Sequence, residues 1–64
     1  MQQVDIDRLE QMIDDYSLSV LLDDLANICR AKAGHIQANY DDAAVARTWA
    51  EVAKRIEAVT GVAP

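Results

Sequence analysis

Residues 18–42 read LSVLLDDLANICRAKAGHIQANYDD. Leu18, Leu22, Leu25, Cys29 and Ile36 recur in steps of 4 and 3, with Lys32 filling the slot between the last two. That is the period of one helix face, so the spacing predicts a helix from Leu18 to Asn39. Leu21 and Ile28 widen its apolar side. The seam has heptad spacing, which an ordinary bundle helix shares, and it is too short for an extended coiled coil. The helix is expected to end at Asn39-Tyr40-Asp41-Asp42. Asn39 tolerates the left-handed conformation there, and Asp41 or Asp42 can cap the next helix.

The flanking segments carry the same period. From Ile6 through DRLEQMIDDY, residues 7–16, an apolar stripe takes in Ile6, Leu9, Ile13 and Tyr16. Asp7 stands as a candidate N-cap, with Glu10 in the capping-box position. Ser17 or Ser19 is suited to cap the second helix. After the turn, Val45, Trp49, Val52, Ile56 and Val59 again step by 4 and 3, which predicts a third helix from Asp42 to Val59 closed by Gly61. No stretch shows sustained period-two alternation. The expected fold is all-α: a single domain over residues 1–64, an antiparallel helical hairpin with a short N-terminal helix folded across it near Leu18. A hairpin of this size has one thin core, and dimerisation into a bundle would complete it.

With 64 residues, the chain buries only roughly 60% of its unfolded surface, and chains this small often gain stability by associating. One cysteine rules out an internal disulfide. No run approaches the roughly 18 apolar residues of a membrane span, and the acidic N-terminus does not read as a secretory signal. A lone thiol suits a reducing compartment, so the expected location is the cytoplasm. The formal charge of −5 is unevenly placed, with −6 over residues 1–24 and +1 over residues 25–64. An acidic half argues against direct nucleic-acid binding, which relies on basic groups meeting phosphates. It is compatible with a basic protein partner, or with plain solvated helix faces.

Cys29 lies on the seam and reads as a small buried hydrophobe. His35 is six residues further on, about 600° around a helix, so the two cannot pair within one chain segment. At the metal-ligand offsets from His35 stand Ala31, Lys32, Ala38 and Asn39, a poor zinc set. No metal or cofactor is expected, and His35 reads as a histidine at the edge of the core near the turn. Lys32, His35 and Asn39 share one face by spacing, and that face leads to Tyr40 and Asp42, with Trp49 on the facing helix. These six residues form the candidate binding patch, polar groups beside an aromatic one. Trp49 has a second reading as the main core residue of a chain without phenylalanine. Gly34, among Ala31, Ala33 and Ala38, suggests a small, flat surface suited to a close helix contact.

The pattern Leu22, Leu25-Ala26, Ile28-Cys29, Lys32-Ala33, His35-Ile36, Asn39-Tyr40, Asp42, Ala46, Trp49 resembles a family of short uncharacterised bacterial helical proteins, cyanobacterial ones among them. The likeness covers about residues 18–52. The family pattern has an acidic residue where Gly34 stands and often tryptophan where Tyr40 stands. The resemblance implies a small helical protein and brings no activity with it. No phosphate loop, trusted carboxylate pair or Ser/His/Asp set is present. The expected function is therefore a non-enzymatic interaction module, a homodimer with a possible further protein partner. Two alternatives stand beside it: an acidic inhibitor or mimic that docks on a basic, nucleic-acid-handling protein, as phage-type proteins do, and a small-ligand or metal-binding protein using Lys32, His35 and Asn39.

Overall fold

A computed structural model describes all residues from Met1 to Pro64. It contains three helices and no strand: α1 (Gln3–Tyr16), α2 (Leu18–Tyr40) and α3 (Ala43–Thr60). Helices α2 and α3 pack closely along their length, while α1 touches α2 alone. The molecule measures 38 × 28 × 13 Å. Its least dimension is less than half of either of the other two, so the three helices form a flat layer.

Helix α1 begins earlier than the capping pattern implies. Its N-cap is Gln2, which makes no side-chain capping bond. Asp7 lies inside the helix and accepts from Gln3 Nε2 at 2.9 Å. The expected Asp7–Glu10 capping box is therefore absent. Residues 3–6 contain no breaker, and an i,i+4 side-chain bond supports the added turn. One residue, Ser17, separates α1 from α2. Its N–H donates to the Ile13 carbonyl at 2.9 Å, and its Oγ accepts from the Val20 N–H at 3.3 Å. It ends one helix and caps the next at φ 108° and ψ 156°, a region essentially reserved for glycine. Ser19 lies within α2, and its N–H donates to the Pro64 carbonyl at 2.8 Å, which ties the last residue to the first turn of α2.

At the other end of α2 the left-handed residue is Asp41, at φ 50°, rather than Asn39. Asn39 stays helical because its amide is used locally, donating to the His35 carbonyl at 2.9 Å. Asp42 caps α3 by accepting from the Val45 N–H at 3.1 Å. Gly61 closes α3 as expected, but in the right-handed region at φ −64°.

The seam between α2 and α3 is built from small residues. The four buried residues are Ala26, Cys29, Ala46 and Ala53, and Trp49 and Ile56 pack partly buried against Ala26, Cys29 and Ala53. On α2 the contact line is Leu18, Leu22, Ala26, Cys29, Ala33 and Ile36, all buried or half-buried. Leu25 and Lys32, placed on the seam by the sequence pattern, lie beside it and are exposed. On α3, Val45, Val52 and Val59 are exposed, and Ala46, Ala50 and Ala53 occupy the contact. Alanines allow close approach of two helix backbones, so they hold the interface while larger neighbours turn outward. The close contact expected at Gly34 does not form: a Cβ there would meet nothing within 4 Å.

Candidate functional site

The six candidate residues fall into two clusters and one structural part. Lys32 Nζ stands 5.5 Å from the Trp49 ring centroid, across the hairpin, in cation–π range. One turn further on, the His35 and Tyr40 rings meet edge to face, with centroids 5.9 Å apart and planes at 70°. Asn39 Nδ2 lies 3.1 Å from His35 Nδ1, so the amide donates to that nitrogen when the ring proton is on Nε2. The same amide nitrogen serves the His35 carbonyl, so Asn39 holds both the ring and the end of the helix. Asp42 caps α3 through its Oδ1.

Exposure separates the roles further. His35, Asn39 and Tyr40 are exposed, and His35 therefore sits on the surface rather than at the core edge. Trp49 is half-buried: one side packs against the alanine seam while its ring lies under the Lys32 ammonium. Trp49 thus joins the edge of the core and the Lys32 contact at once. Cys29 is a buried free thiol. No group of three His, Cys, Asp or Glu side chains stands close enough to hold a metal ion. No helix is long and apolar enough to cross a membrane.

The larger feature is apolar. Leu21, Leu25, Ile28, Lys32, His35 and Asn39 follow one another in steps of 4 and 3, so the polar patch continues an apolar stripe along the same side of α2. Leu25 and Ile28 are 48% and 52% exposed. The Lys32–Trp49 contact puts this stripe on the same face of the layer as Val45, Val52 and Val59, which flank Trp49 and Ile56 on α3. Beside the N-terminal half of the stripe, α1 turns Leu9, Met12 and Ile13 toward Leu21, Leu25 and Ile28, leaving an open apolar cleft of about 390 Å³. Asp24 stands at the edge of that cleft as its one charged lining residue. The opposite face of the hairpin differs in kind, a shallow groove of Ala33, Gly34, Ala38, Ala43, Ala46 and Ala50 rimmed by Gln37 and Arg47. In the sequence, Leu21 and Ile28 appear only as a widening of the core stripe. The signal for a separate face is the alternative seam through Ala26 and Ala33, which a reading weighted to large residues passes over.

Comparison of the chain with protein-family models, with curated proteins and with solved structures gave no match.

Proposed function

We propose that this chain is a non-enzymatic interaction module that works by docking the Leu25–Ile28–Val52 face onto another protein surface. One observation carries the reading: the layer buries only four residues, none larger than cysteine, while fifteen large apolar side chains stay exposed. Contiguous apolar surface rimmed by polar groups is characteristic of protein–protein contact sites. The Lys32–Trp49 and His35–Asn39–Tyr40 clusters form the polar end of this surface and would set orientation more than affinity. Nucleic acid is a poor ligand for it, because Lys32 is the single base along the α2 stripe. The lone thiol suits a reducing compartment, and we assign the protein to the cytoplasm on that ground.

Site-specific photo-crosslinking in host cells tests the reading. A photoreactive phenylalanine at position 28 should give one or a few discrete adducts. The same group at position 51, on the outer edge of α3, should give none. Equal labelling from both positions, or no discrete adduct from position 28, rejects the docking face.

A further inference from the structure

The surplus surface of the chain and the opposite charges spaced evenly about Ile28 point to one occupant, an inference that rests on the docking reading.

The chain exposes 4875 Å². A folded monomer of its 7.1 kDa mass is expected to expose roughly 4,100 Å² by the surface–mass scaling of globular proteins. The excess is thus roughly 800 Å², and a standard protein–protein interface removes about that area from each partner. The layer therefore carries a surplus equal to one side of one interface.

Opposite charges stand at equal spacing on either side of Ile28. Four residues before it stands Asp24 and four after it Lys32; seven before stands Leu21 and seven after His35. Asp24 and Lys32 are both exposed. Within one chain they lie eight residues apart, about 12 Å along a helix rising 1.5 Å per residue, too far to pair. When α2 crosses a second α2 antiparallel with Ile28 at the two-fold axis, each Asp24 falls opposite the other copy's Lys32. The pair forms twice, as an isologous contact requires. Ile28 then meets its own counterpart. The open cleft beside α1, on the Leu21–Ile28 half, receives the other copy's Lys32–His35 half, whose lysine stem can lie along leucine while its ammonium reaches Asp24. Trp49 already holds that ammonium over the face.

We propose that the occupant is a second copy of this chain, joined through α2 crossing α2 antiparallel at Ile28, with Asp24 of each copy paired to Lys32 of the other. Charge exchange tests it. Wild-type protein at micromolar concentration should sediment at twice the monomer mass. Asp24→Lys or Lys32→Asp alone places like charges together at both ends of the contact and should weaken the dimer at least about tenfold. The combined variant Asp24→Lys/Lys32→Asp should return to within about threefold of wild type, a rescue that only a contact between copies can give. Circular dichroism should show unchanged helicity in all three, since neither residue is buried in the monomer. As a second measurement independent of charge, Ile28→Cys in a Cys29→Ala background should oxidise mainly to a disulfide-linked dimer, while Glu51→Cys in that background should not. A helical wild-type monomer across the micromolar range overturns the proposal. So does a dimer that the double exchange fails to restore, or one in which Ile28→Cys links no better than Glu51→Cys. If position 28 still crosslinks to a different protein, the docking face stands and only its occupant is wrong. If it crosslinks to nothing, both fall.

Discussion

Ser17 joins two helices alone, and it does so at a backbone conformation that a side chain resists. At φ 108° and ψ 156°, a residue with a Cβ stores about 1–3 kcal/mol of strain. Ser17→Gly removes that strain. It gives up the Oγ cap on Val20, where glycine is only a few tenths of a kcal/mol worse than serine. It also frees the unfolded chain, at a cost of about 0.5–1 kcal/mol. The net expectation is stabilisation by about 1 kcal/mol. Ser17→Ala loses the same cap, worth about 1 kcal/mol, and keeps the strain. The two variants should therefore differ by about 2 kcal/mol, which for a domain of this size is about 8–16 °C in Tm. Thermal melts followed by far-UV circular dichroism decide it, run at one fixed protein concentration because association shifts Tm. Equal melting temperatures for the glycine and alanine variants would refute the strained-linker argument.

Gly34→Ala should stabilise the chain by about 0.5–1 kcal/mol in urea titration, because a Cβ there meets open space; destabilisation would mean that something packs at Gly34. Cys29→Ala should cost about 1 kcal/mol through lost packing on Ala53 and Ile56, and the folded wild-type thiol should alkylate slowly; rapid alkylation would contradict its burial. Ala53→Leu should cost about 1–3 kcal/mol by wedging the seam apart, and a neutral result would show that α2 and α3 do not meet there. Lys32→Ala with His35→Ala should change monomer stability by less than about 0.5 kcal/mol while weakening self-association by about 1 kcal/mol or more; a large fall in Tm would make His35 a scaffold residue.

The helices were legible in the sequence because period survives any choice of seam. A stripe stepping by 4 and 3 predicts a helix whichever of two neighbouring stripes faces the core. The identity of the seam was less legible. Leu25 and Lys32 fall on the periodic stripe, whereas Ala26 and Ala33 are nearly silent on a hydrophobic reading, and it is these alanines, with Cys29, that line the contact with α3. The same holds for Val45, Val52 and Val59 against Ala46, Ala50 and Ala53. Helix ends were misplaced where two polar residues competed for one role. Asn39 bonds its own helix, so Asp41 takes the left-handed position, and an i,i+4 bond from Gln3 to Asp7 carries α1 past its apparent cap. The candidate patch was legible as a shared face, since Lys32, His35 and Asn39 need only helical spacing. That Lys32 reaches Trp49, and that Asp42 is spent on capping, depends on the hairpin register, which no single-helix pattern contains.

The alanine seam and the apolar face have one cause. Two helices that meet through alanines approach closely, and the volume between them is too small for leucine, valine or tryptophan to enter in full. The larger side chains must then lie on the flanks of the contact. In a flat layer of three helices, no further helix covers that flank. Gly34, Ala38 and Ala43 keep one side of the hairpin shallow. The bulk is thereby concentrated on the other side, where Leu25, Ile28, Val52 and Val59 stand. Closer packing within the hairpin thus enlarges the surface available outside it. A substitution that trades seam alanine for a larger residue acts on both together: it loosens the hairpin and redirects the face. For this fold, monomer stability and the shape of the exposed face are accordingly coupled at Ala26, Ala46 and Ala53 and separable at the exposed positions Asp24, Ile28 and Lys32.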